Sequence, residues 1–342
     1  MSEILSPRES GVFISKNAKH VSIHEEAIPK MVHDLYLALE KGGLRKYSIT
    51  EHETFPSKHL SQKEALNYVL FLDALNFCFW SPPGKPHWTV KFQDVSYTGY
   101  FALCAAVARA YDEGIHIFDP TVYSKFTLSE LEEMLKGENG VPAPMVEERL
   151  KCLQEVGTVL LAKFGGSFEN VVLQAKNSAQ ALLKLVVENF PCFDDSCDYL
   201  GKRVSFHKRA QILVGDVWGL YYGQGISEFR DVDTITMFAD YRVPQVLVAY
   251  GILQYSDELM GVLRKNEILQ SGCEFEIEIR GCSIRAVDLV VQAMREYMRK
   301  DDRVYYSECN DISVDNYLWS YRREHVARMD ATPFHKVISI YY

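Results

Sequence analysis

Asp240 stands alone as a carboxylate inside the apolar stretch ITMFADYRVPQVL, residues 235 to 247. Ile235, Met237 and Phe238 precede it, and Val243, Pro244, Gln245, Val246 and Leu247 follow as a helix start. Apolar flanks on both sides predict a partly desolvated carboxylate, and a buried charge costs several kcal/mol unless something pairs with it. One use for such a group is catalytic, holding negative charge where positive charge develops in a reaction. The other is structural: Asp240 caps the helix, or Arg242, two residues on, neutralises it. Residue type leaves both open.

Further polar groups are set in apolar surroundings at spacings that could serve a ligand. Lys208 and Arg209 open the segment FHKRAQILVGDVWGLYY, residues 206 to 222. Basic side chains there oppose the helix dipole, which makes them poor stabilisers and better anion ligands, unless they merely reach out to solvent. Asp73 and Asn76 lie three apart, hence on one face, in the aromatic stretch 65–80. Asp311 and Asp315 lie four apart on the last helix, where like charges repel by a few tenths of a kcal/mol and a cation between them would help. His52 sits in the polar loop TEHETFPSKHL, beside two glutamates, as a solvated residue or a binding group.

Several chemistries are excluded or weakened. Around Gly201 and Lys202 the phosphate-loop pattern fails, with Ser196 in place of the first glycine and Arg203 in place of the Ser or Thr. The glycine pair in FGGSF, residues 164–168, more often ends a helix than cradles a phosphate. Eight cysteines at 78, 104, 152, 192, 197, 273, 282 and 309 form no Cys-x-x-Cys pair, and no metal or other cofactor is expected. Cys192 and Cys197 are nearest in sequence and are read as free thiols. A net charge of −9 disfavours a nucleic-acid polymer, since few phosphates could be neutralised. The start MSEILSPRES lacks the blocks of a signal peptide, and no uncharged apolar run is long enough to span a membrane. These features predict a soluble, reduced, intracellular protein.

The elements that must position these groups are mostly helices. The chain has 342 residues, 47% hydrophobic and 24% charged, enough to bury a large core. Residues 1–25 read as an irregular lead-in. Periodicity predicts a helix from Ile28 to Leu39 stopped by Gly42 and Gly43, and a central helix over 65–80 entered through Ser61 and Glu64. Further helices are expected over 99–111, 128–135, 145–164, 178–190, 206–222, two around Tyr255 and Ser256, 274–299 and 311–323. WTVKFQDVSY, residues 88–97, is the expected hairpin, turning at Asp94, and FHKVISIYY closes the chain as a strand-like tail. The fold class is therefore mainly α with a small β-hairpin, about a dozen helices over a single domain 1–342, conceivable as two helical lobes with a pocket between them.

Six blocks in one order resemble the queuosine salvage family, in its eukaryotic form: DALNFCFW at 73–80, GYFALCAAVARA at 99–110, AKFGGSF at 162–168, GKRVSFHKRAQILV at 201–214, ITMFADYRVPQVL at 235–247 and EIRGCS at 278–283. The likeness runs from SPRES at 6–10 to the terminal IYY. It implies a fold related to the helix-hairpin-helix DNA glycosylases, adapted to a free nucleotide, and hydrolysis of the N-glycosidic bond of queuosine 5′-monophosphate with release of queuine for tRNA.

On that resemblance Asp240 stabilises an oxocarbenium-like transition state, and Phe238 stacks on the deazapurine ring. Asp311 or Asp315 takes the substrate's cationic amine or guanine-like edge, and His52 a diol or ring contact. Lys208, with Arg209 beside it, takes the 5′-phosphate, while Asn76, Asp73 and Trp80 line the pocket. A monomer in the cytoplasm, extending to the nucleus, follows as an expectation, with no membrane and no polymer as partner. Two rival readings remain: a carrier that holds the modified base without cleaving it, and a glycosylase acting on DNA or RNA.

Overall fold

The computed structural model describes residues 4–42, 44, 48–56, 60–298 and 309–342, except for the side chain of Asn139. It is mainly helical, with fifteen α-helices and four two-stranded sheets among the described residues. The chain divides into two compact units. One comprises Met1–Tyr47, Asp195–Lys208 and Asp231–Ile338, the other Ser48–Asp194, Arg209–Arg230 and Ser339–Tyr342. Gly43, expected as part of a helix stop, and Arg299, expected as a helix end, lie outside the described residues.

The first unit is built on the long helix Glu274–Met298, whose Ile277, Ile284, Val287, Val291 and Met294 are all buried. Helix Pro7–Asn17 lies against it at a crossing with no room for side chains. A Cβ on Gly281 would meet Ile14 Cδ1 at 2.5 Å, and one on Gly11 would meet Ile284 Cγ2 at 2.9 Å. Close packing of this kind requires glycine on both helices.

The presence of Pro7–Asn17 corrects the reading of residues 1–25 as irregular. Ser6 accepts from the Glu9 amide while Glu9 reaches back to Ser6, with Pro7 opening the helix, so the run SPRE is a complete capping box. Strand Val21–Ile23 then pairs antiparallel with Leu253–Tyr255. Helices Ile28–Glu40, Val243–Ala249, Asp257–Arg264 and Asp311–Glu324 fall where their periodicity puts them, the third capped by Ser256. A second hairpin, Ser196–Tyr199 with Lys202–Ser205, occupies the segment in which a phosphate loop was excluded. Leu200 and Gly201 both have positive φ, which suits a two-residue turn. The expectation of one hairpin therefore undercounts the strands. The tail contributes only Lys336–Val337, parallel to Ile268–Leu269.

In the second unit, helix Gln62–Ala74 is buried at every position from Ala65 to Ala74. Its capping box, Ser61 with Glu64, stands as expected. The helix stops six residues before the expected end at Trp80, where one buried arginine takes its last two carbonyls and a second takes those that follow. Arg209 donates to the carbonyls of Asp73 at 3.2 Å and Ala74 at 2.8 Å. Arg149 donates to those of Leu75, Phe77 and Cys78. Strong charged donors replace the i+4 amides, and Cys78 turns away with φ of 45°.

The expected hairpin is present as Thr89–Phe92 and Val95–Thr98, with Gln93 and Asp94 both at positive φ. Helices Tyr100–Asp112, Leu128–Met134, Val146–Phe164 and Ala179–Asn189 match their expected spans within two residues, and Gly165 ends the third in the left-handed conformation. No single helix among the described residues is long and apolar enough to cross a membrane.

Candidate active site

Phe238, Asp240, Lys208, Asp311 and Asp315 all belong to the first unit. Asp240 precedes helix Val243–Ala249, and its Oδ1 accepts the backbone N–H groups of Arg242 at 2.9 Å and Val243 at 2.8 Å. Asp240 thus holds the entry to this helix through one oxygen, although the N-cap residue itself is Arg242 and not Asp240. Among the described residues Oδ2 accepts no hydrogen bond. The side chain is not paired with Arg242, whose guanidinium lies 4.2 Å over the Phe334 ring and donates to Gln245 Oε1 at 3.2 Å.

Asp240 is 9% exposed, and burial raises its pKa, opposed by the charge of Lys208 and by the two amides. Asp315 is 4% exposed and accepts the Phe238 amide at 3.0 Å. Burial, and next the negative charge of Asp240, push the Asp315 carboxyl well above the usual carboxylate range, against the Phe238 amide and Lys208. Two buried carboxyls that feel each other resist ionising together, and Asp315 has one amide to hold its charged form where Asp240 has two.

Lys208 opens helix Lys208–Leu220 and is buried, so it does not reach out to solvent. Its amide donates to Asp195 Oδ2 at 3.0 Å, and its charge acts on both Asp240 and Asp315. Asp311, one turn before Asp315, pairs with Arg8 at 3.4 Å. Burial lifts its pKa to about 6, with Arg8 opposing. Its Oδ1 is buried and accepts no hydrogen bond among the described residues.

A buried pair that sequence reading missed supports this cluster. Arg280 grips Asp195 with both terminal nitrogens, at 2.9 and 2.5 Å, and its Nε donates to the Ala239 carbonyl at 3.0 Å. Asp195 in turn holds the start of the Lys208 helix. One fork therefore fixes the backbone just before Asp240 and the amide of Lys208 together. The available signal was Arg280 itself, a charge inside the apolar stripe of helix Glu274–Met298. Asp195, in the loop FDDSC, carried none.

The other five expected residues belong to the second unit. Arg209 is buried, holding the carbonyls of Asp73, Ala74 and Cys192. Asn76 donates to Asp73 Oδ1 at 3.1 Å, so the expected pair exists at the end of helix Gln62–Ala74. Trp80 is buried beyond that end. His52 stacks on Phe101 at 4.1 Å, and its Nδ1 accepts the Thr54 amide at 3.2 Å, which places the neutral ring's proton on Nε2. Among the described residues, no group of three or more His, Cys, Asp and Glu side chains could hold a metal ion.

Residues 56–342 match the family model described as queuosine salvage protein. A Bos taurus protein named queuosine 5′-phosphate N-glycosylase/hydrolase is 44% identical over the full length of both chains. Relatives of the same name are 42% identical in Mus musculus, over 99% of each chain, and 34% identical in Schizosaccharomyces pombe, over 96% of this chain and 93% of that one. The chain belongs to the queuosine salvage protein family.

Proposed function

We propose that the protein hydrolyses the N-glycosidic bond of queuosine 5′-monophosphate and releases queuine, the activity named for its relatives. The observation that carries this reading is Asp240, buried, fixed through Oδ1 by two amides, and feeling a second buried carboxyl, Asp315, whose pKa is raised. Loss of the base leaves positive charge on the ribose. The ionised Asp240 stabilises that charge and orients the attacking water, and its low-dielectric setting strengthens the effect.

Phe238 stacks on the deazapurine, worth roughly 1–3 kcal/mol. Protonated Asp315 suits the guanine-like edge, since a neutral carboxyl both donates and accepts. Asp311, ionised above about 6, suits the cationic amine. Lys208 takes the 5′-phosphate. In this reading the helical frame is kin to the helix-hairpin-helix DNA glycosylases, and the protein acts as an intracellular monomer on a free nucleotide, consistent with its net charge of −9.

The test is incubation with queuosine 5′-monophosphate followed by chromatography for free queuine. Release at substrate turnover is expected. Tight binding without release would make the protein a carrier, and release only from RNA or DNA would make it a polymer glycosylase.

A further inference from the structure

Cys152, on helix Val146–Phe164, and Cys192, in the short turn Pro191–Phe193, come together in the second unit. The partner of Cys192 is thus not Cys197, its neighbour in sequence. Both are buried at the floor of a cleft of about 260 Å³, with the exposed Lys151 and Pro191 at its rim. Both residues line this one cleft, where helix Val146–Phe164 packs against the turn Pro191–Phe193. The main chain of Cys192 is held on both sides, its amide donating to Glu155 Oε1 at 2.8 Å and its carbonyl accepting from Arg209.

The electrostatics separate this pair from the remaining cysteines. Burial raises the thiols of Cys78, Cys104, Cys197, Cys273, Cys282 and Cys309. Cys152 moves the other way, to about 7, because the Cys192 thiol hydrogen-bonds to it and the charge of Arg209 adds to that, against burial. Cys192 is pushed up by Cys152 and by burial. Two thiols in one cleft, one of them eased toward ionisation beside an arginine, suit an attacking and a resolving cysteine.

We propose that Cys152 and Cys192 form an oxidisable dithiol, which a hydroperoxide entering the cleft converts to an intrachain disulfide. The Cys152 thiolate attacks the hydroperoxide, an S–O bond forms, the O–O bond breaks, and the departing oxygen leaves as water or alcohol after taking a proton. Cys192 then attacks the sulfenic sulfur. The S–S bond forms, the S–O bond breaks, and water leaves with the Cys192 proton. Two thiols are oxidised and one hydroperoxide is reduced.

The experiment treats the full-length protein with graded hydrogen peroxide, alkylates remaining thiols after denaturation, and maps unreduced peptides by mass spectrometry. The expected product is a Cys152–Cys192 peptide pair two hydrogens lighter, abolished by dithiothreitol, at peroxide levels that leave Cys78, Cys104, Cys282 and Cys309 alkylatable. A Cys192→Ser variant, folded by circular dichroism, should instead accumulate a sulfenic acid at Cys152 that dimedone traps. Full alkylation of all eight cysteines, a Cys192–Cys197 link, or a folded Cys192→Ser protein that takes no dimedone at Cys152 would overturn the proposal.

Discussion

Asp315 Oδ1 accepts the backbone N–H of Phe238 at 3.0 Å, and through this bond helix Asp311–Glu324 grips the loop that carries Asp240. The same carboxyl is pushed well above the usual carboxylate range by burial and by the charge of Asp240, with the Phe238 amide opposing.

Asp240→Asn should separate catalysis from folding. The amide oxygen can still accept from Arg242 and Val243, so the entry to the helix stays held, and thermal unfolding should move little. The negative charge is gone, and queuine release should fall on the order of 10²-fold or more. Release at the wild-type rate would remove Asp240 from the mechanism.

Asp315→Asn keeps a hydrogen-bonding side chain but cannot titrate. If the protonated carboxyl binds the base, wild-type kcat/KM falls at high pH as Asp315 ionises and at low pH as Asp240 protonates. In the variant the alkaline limb should vanish while the acidic limb remains. A pH–rate profile of both proteins reads this directly.

Lys208→Met removes the cation that stabilises ionised Asp240. The acidic limb of the profile should move to higher pH, because Asp240 then protonates more easily. If Lys208 also binds the phosphate, KM should rise for queuosine 5′-monophosphate and not for the plain nucleoside, a comparison made with the two substrates side by side.

Arg280→Lys should be severe although charge is conserved. Lysine cannot span both oxygens of Asp195 and the Ala239 carbonyl at once, and a disrupted buried pair costs on the order of 3–5 kcal/mol. Chemical denaturation should show the loss, which an Asp195→Asn protein should share in part.

Asp311 gives stability a pH dependence of known sign. Its folded pKa, about 6, lies above that of an ordinary aspartate, so the folded state binds more protons between the two values. Its contribution is therefore favourable at low pH and is lost as pH rises toward and past 6, by on the order of 2–3 kcal/mol. The unfolding temperature of Asp311→Asn relative to wild type should rise between pH 4 and pH 7. An unchanged difference would mean that Arg8 compensates the charge in full.

The sequence by itself determined the helices and their caps, because apolar spacing and motifs such as Ser61 with Glu64 or Ser256 act within a turn or two of the chain. It also singled out Asp240, since a charge amid apolar neighbours is visible in one dimension, and the block resemblance identified the family. Local signals could still be missed, as the capping box at Ser6 and Glu9 and the turn at Leu200 and Gly201 were.

Only the tertiary structure decided the rest, because it depended on residues far apart in sequence. It showed that Asp240 is buried and held through one oxygen by the amides of Arg242 and Val243, and that burial and the charge of Asp240 raise the pKa of Asp315. It showed that Arg209 holds the last carbonyls of the central helix and Arg149 those just beyond it, and that Asp195 and Arg280 brace the loop before Asp240. Such pairings arise from burial and from charges brought together by folding, and neither is encoded by spacing along the chain.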